Sequence, residues 1–114
     1  MEILIRESAP ATVAEITGSV DGMTAGSLMD RLAEVVKGGQ TRLVLDFAGV
    51  DYVSSAGLRA LLSTMKDARL HGGDLRLASV RPEVARVLEL SGFTTILKVF
   101  PDAASAAASF GAAR

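Results

Sequence analysis

Residues 42–73, RLVLDFAGVDYVSSAGLRALLSTMKDARLHGG, decide the fold. Arg42-Leu43-Val44-Leu45-Asp46-Phe47 is a short run of β-formers without clean alternation, the pattern of a strand buried on both faces in a parallel sheet. After Val50-Asp51-Tyr52-Val53 the period changes. Leu58, Leu61, Leu62, Met65 and Ala68 share one stripe at helical spacing, and Gly72–Gly73 closes that helix. A strand followed by a helix of this length is the first part of a crossover, which returns the chain to a neighbouring parallel strand. Asp74–Val80 supplies that strand.

The flanks extend the same alternation of elements. Ile3 and Ile5 alternate with Leu4 and Arg6 over residues 2–7, Pro10 marks a turn, and Thr12–Val20 reads as a second strand, so a hairpin begins the chain. Ala25, Leu28, Met29, Leu32, Val35 and Val36 predict an amphipathic helix, with Thr24 as its N-cap and Gly38–Gly39 as its stop. Pro82 opens a third helix, where its missing N–H costs nothing, Val84, Val87 and Leu88 face inward, and Gly92 ends it. A strand around Ile96–Phe100 and an Ala-rich helix from Asp102 follow. The order is β-β-α-β-α-β-α-β-α. It predicts one α/β domain over residues 1–114, a mostly parallel mixed β-sheet with right-handed crossovers and helices packed against it.

Composition narrows the chemistry. A chain of 114 residues with 49% hydrophobic and 22% charged residues suits one folded domain. It has no cysteine and one histidine, which excludes disulfides, thiol nucleophiles, Cys-ligated zinc and multi-histidine metal sites. A net charge of −1 argues against coating nucleic acid, and 4% aromatics without Trp argue against a base-stacking platform. No run approaches the roughly 18 apolar residues that span a bilayer. Residues 1–10 alternate, and Glu2 is wrong for a signal peptide. The expectation is a cytoplasmic chain without membrane insertion, direct nucleic-acid contact or cofactor. Charge is uneven: residues 1–58 carry eight acids and four bases, whereas residues 59–114 carry five acids and eight bases.

Chemistry concentrates in Asp51-Tyr52-Val53-Ser54-Ser55-Ala56-Gly57-Leu58, where two hydroxyls precede or open an apolar-striped helix. Free N–H groups and the macrodipole at a helix start stabilise a phosphate there by about 0.3–1 kcal/mol. Such a phosphate adds about −1.5 to −2 charge, enough to disrupt a docked partner. The plain structural alternative is that Ser54 caps the helix. A serine nucleophile lacks a base: Val53 stands where the G-x-S-x-G elbow needs its first glycine, and a helix from Ser55 to His71 separates the two by roughly 24 Å. His71 reads instead as an exposed residue at that helix's end. No phosphate-binding loop of the nucleotide-binding kinds occurs. Asp21, Asp46 and Asp51 fit caps and turns better than a magnesium site. No catalytic residue and no metal ligand is therefore assigned. Gly57 costs about 1 kcal/mol against Ala inside a helix; close approach of a partner's backbone and tight packing on the sheet both explain it.

Asp46-Phe47 followed by Val50-Asp51-Tyr52-Val53-Ser54-Ser55-Ala56-Gly57-Leu58-Arg59 resembles the central motif of STAS domains, the anti-sigma-factor antagonists of bacteria. Gly18-Ser19-Val20-Asp21 resembles the family's turn ahead of the first helix, and Arg81-Pro82-Glu83-Val84 through Leu88-Glu89-Leu90-Ser91-Gly92-Phe93 its third helix and following turn. The resemblance implies partner switching. An anti-sigma factor serine/threonine kinase binds the unphosphorylated antagonist and so frees a sigma factor; phosphorylation releases the antagonist, and a PP2C-type phosphatase restores it. Carried onto this chain, the phosphoacceptor is Ser55, with Ser54 the lesser candidate. Ser54 departs from the Asp of several members, which leaves a second implied reading, a non-phosphorylated STAS subunit of a lipid-transport or sensory complex. The implied partner surface comprises Asp21, Thr24, Ser54, Ser55, Ala56, Gly57, Leu58 and Arg59, on a monomer or weak dimer.

Overall fold

A computed structural model describes residues 1–111; residues 112–114 of the expected domain lie outside that range. Strands β1 (Glu2–Ser8) and β2 (Ala11–Thr17) form an antiparallel hairpin. From β2 the sheet continues in parallel through β3 (Arg42–Gly49), β4 (Asp74–Ala78) and β5 (Lys98–Phe100), in the spatial order β1-β2-β3-β4-β5. Helices α1 (Ala25–Lys37), α2 (Ser55–Leu70), α3 (Pro82–Leu90) and α4 (Ala103–Gly111) complete the predicted order. A 3-10 turn at Phe93–Thr95 is an addition to it.

Central strand β3 is buried on both sides, as its composition requires. Leu43, Leu45 and Phe47 join Ile16, Leu75 and Leu77 in the larger core, against Leu28 and Leu32 of α1, Leu61 and Met65 of α2, and Leu88 of α3. Val44 points to the reverse face, where Val13 and Ala78 meet Ala106, Ala107 and Phe110 of α4. Alanines let α4 lie close, but each buries little area, so Phe110 supplies most of the apolar contact. The Arg76 guanidinium stacks 3.9 Å from the centre of the Phe110 ring, and its Nη1 donates to Ser109 Oγ at 2.6 Å. Phe110→Ala is expected to cost about 3 kcal/mol, read from the shift of the urea midpoint; a loss below about 1 kcal/mol would show that α4 is held by other contacts.

Asp74 anchors the same corner. Burial pushes its carboxyl pKa up, but hydrogen bonds from Arg69 Nε (2.7 Å), Leu75 N–H (2.9 Å) and Arg76 Nε (3.2 Å) outweigh that and hold it below the ordinary aspartate range.

Three strands are cut short of the sequence expectation at one end, while β1, β2 and β3 each gain one or two residues at an end. Strand β2 stops at Thr17 rather than Val20, because the register shifts between Glu15 and Thr17 and Gly18 takes a φ of 102°. Strand β4 stops at Ala78 rather than Val80, because Ser79 turns the chain with a φ of 56°. Strand β5 begins at Lys98 rather than Ile96. Ile96 and Leu97 both donate their N–H to Phe93 O, at 3.0 and 2.8 Å, and so finish the preceding turn instead of entering the ladder.

Candidate functional site

In open parallel sheets the crevice outside the carboxyl ends of the strands collects ligands and partners. Here the loops after β2 and β3 meet at that end. They are tied by a parallel bridge between Val20 and Val53: Val20 N–H donates to Tyr52 O and Ser54 N–H donates to Val20 O, both at 2.9 Å. Ser19 Oγ adds a bond to Asp51 Oδ1 at 3.2 Å. The bridge places the Asp21 turn beside the Ser54–Ser55 helix start, though some thirty residues of chain separate them.

The two serines are not equivalent. Ser54 is the N-cap of α2, in extended conformation, and its Oγ accepts Gly57 N–H at 3.3 Å. Ser55 is the first helical residue and is exposed, and its hydroxyl makes no hydrogen bond among the described residues. No acidic side chain occupies the first turn of α2, so the positive end of the helix is left uncompensated by its own residues.

Asp21 and Thr24 shape the neighbouring turn. Asp21 Oδ1 accepts Met23 N–H at 2.9 Å, an Asx turn. Thr24 sits at the start of α1, but its side chain does not cap that helix. Its Oγ1 instead accepts Asp21 N–H and donates to Ser19 O, each at 2.9 Å. The hydroxyl closes the turn because Thr24 itself already has helical dihedrals, which aim the side chain back along the loop.

Gly57 has a structural explanation. It is buried, and a Cβ there would lie 2.5 Å from Val20 O and 2.9 Å from Val53 Cγ1. The missing side chain is what lets Val20 O approach and accept Ser54 N–H, so tight packing on the bridge accounts for this glycine. Ala56 and Leu58 are half-buried, and Leu58 packs on the larger core. Arg59, four residues after Ser55 on α2, is exposed.

Two residues gain a place here that the sequence did not give them: Met23 was not singled out, and Tyr52 was named within the motif without a role. Met23 is 93% exposed and Tyr52 is 54% exposed, one in each of the bridged loops. The signal was present in Asp21-Gly22-Met23-Thr24, where a large apolar residue stands inside a polar turn with no periodic partner.

Elsewhere, Asp46 Oδ1 accepts Ala48 N–H at 3.0 Å, and among the described residues no three His, Asp or Glu side chains gather as a metal site. His71 lies at the far end of α2, exposed, with Nδ1 2.9 Å from Asp67 O. The larger clefts are remote from Ser55: about 720 Å³ beside β5, and about 430 Å³ around Pro10, Gln40 and Thr41. Neither cleft is lined by Ser55 or by the bridged loops. No helix among the described residues is long and apolar enough to cross a membrane.

The sequence profile of the STAS domain matches residues 2–106. This chain belongs to the STAS family. BtrV of Bordetella bronchiseptica, a candidate anti-sigma factor antagonist, is 41% identical over 98 residues, covering 86% of this chain and 84% of that protein. A candidate anti-anti-sigma factor of Mycobacterium tuberculosis is 30% identical over 96 residues, covering 82% and 65%. Among solved structures, a candidate anti-sigma factor antagonist of Thermotoga maritima superposes with a TM-score of 0.86 at 18% identity, covering 91% of this chain and 90% of that one. At that identity the superposition speaks for the STAS fold alone.

Proposed function

We propose that this STAS domain is an anti-sigma-factor antagonist. In its unphosphorylated form it docks on an anti-sigma serine/threonine kinase through the two bridged loops and the first turn of α2, and so frees a sigma factor. The switch is phosphorylation of Ser55. Ser55 Oγ attacks the terminal phosphorus of ATP in the kinase's site, the bond to ADP breaks, and the hydroxyl proton passes to a base of the kinase. A PP2C-type phosphatase hydrolyses the ester and resets the domain in the cytoplasm.

One observation carries the choice of residue. Ser55 is exposed and uncommitted, whereas Ser54 Oγ is engaged in capping α2. Lacking a neighbouring base, Ser55 needs a second protein to activate it. The 41% identity to BtrV supports the antagonist reading, as does the exposure of Met23 and Tyr52 around the serine.

The test is incubation with the candidate anti-sigma kinase and ATP, followed by mass-spectrometric mapping. The phosphate is expected on Ser55 in the native chain and in Ser54→Ala, and nowhere in Ser55→Ala. Transfer confined to another residue, or no transfer at all, overturns the assignment.

A further inference from the structure

The two margins of the sheet are built differently. Strand β5 is only three residues long, carries an exposed lysine, Lys98, and is followed at once by Pro101; short length, Lys and Pro are the usual means of preventing edge-to-edge pairing. Strand β1 has none of these. It runs for seven residues, Glu2–Ser8, without Lys, Pro or bulge, and its outer edge pairs with no strand among the described residues. At its middle Leu4 is 63% exposed.

We propose that β1 is a homodimer interface, in which two copies of this chain pair their β1 strands antiparallel about a two-fold axis through Leu4. That register makes the strand complementary to itself. Leu4 faces Leu4 of the second copy, and Glu2 faces Arg6 in both directions, so two opposite-charge pairs flank one apolar pair on a single face of the sheet. On the opposite face Ile3 meets Ile5 and Ile5 meets Ile3, and both are half-buried residues already packed on the larger core. The charges are free to do this. Glu2 has no ion-pair partner among the described residues, and Arg6 uses only its Nε, toward Glu15 at 2.7 Å. Shifting the register by two residues would place Glu2 against Leu4 or Leu4 against Arg6, and a shift by one would exchange the faces.

The geometry has a functional consequence. Antiparallel pairing of the two β1 strands runs the two parallel sheet cores in opposite directions, so the Ser55 loops lie at opposite ends of a ten-stranded sheet. Dimerisation therefore leaves both serines open, and each copy keeps its own docking surface.

Sedimentation velocity over a concentration series tests this on the full chain, with circular dichroism as the check that each variant is folded. Reversible dimerisation is expected, and Leu4→Lys, which sets two ammonium groups face to face at the axis, should weaken it at least about tenfold. The native chain has no cysteine, so Leu4→Cys should form a covalent dimer under mild oxidation while Leu90→Cys, exposed on α3, should not. No self-association up to about 1 mM, a dimer indifferent to Leu4→Lys, or equal cross-linking through both cysteines overturns the interface. Leu4→Lys should still accept phosphate on Ser55, which separates failure of this interface from failure of the phosphorylation reading.

Discussion

Ser55→Asp is expected to weaken binding to the anti-sigma kinase by about 30-fold or more, while Ser55→Ala stays within about threefold of the native chain. The asymmetry follows from the position. Ser55 is exposed at the first helical position and its hydroxyl makes no hydrogen bond among the described residues, so removing that hydroxyl leaves no buried group unsatisfied. A carboxylate at the same place is comfortable in the free domain, because the positive end of α2 lacks an acidic neighbour of its own. Docking a partner then strips water from that charge, at a cost on the order of 2 kcal/mol when nothing on the partner replaces it. Calorimetric titration of both variants against the kinase measures the difference. Equal affinities would remove the electrostatic basis of the switch.

Gly57→Ala is expected to lower stability by about 1–2 kcal/mol, and to impair partner binding beyond what the stability loss explains. Two effects oppose each other. Alanine gains at most about 1 kcal/mol of helix propensity, and less in the first turn than in the helix interior. Against this, the added Cβ would sit 2.5 Å from Val20 O, and relieving such overpacking typically costs about 1–3 kcal/mol. Backbone must move, since the obstructing atom is a carbonyl oxygen and not the tip of a flexible side chain. The movement falls on the Ser54 N–H to Val20 O bond, the tie that sets the Asp21 turn beside Ser55. Urea denaturation reads the first effect, and amide hydrogen exchange at Ser54 and Val20 reads the second. Unchanged exchange at both amides would show that the bridge does not depend on Gly57.

Much of this was legible in the chain. The Arg42–Phe47 run identified a strand covered on both faces because a parallel sheet between helix layers leaves no solvent side, and such a strand dispenses with alternation. The helices announced themselves by period, and their ends by Gly38, Pro82 and Gly92. The serine pair at the start of α2 stood out because hydroxyls at a helix start have a recognisable chemistry. Strand ends were less legible. Thr17, Ala78 and Lys98 end or begin strands where a positive φ or a local turn removes the backbone from the ladder, and nothing in the identity of Ser79 signals a φ of 56°.

Sequence by itself determined the order of elements, the two-sided burial of β3, and the candidacy of Ser54 and Ser55, all of which depend on residues within one or two turns of each other. Only the tertiary structure explained Gly57 and set the exposed Met23 and Tyr52 in two loops tied to each other. Those outcomes rest on the Val20–Val53 bridge, a contact across 33 residues. Local periodicity carries no record of such a contact, because its register is settled by how the whole sheet packs and twists.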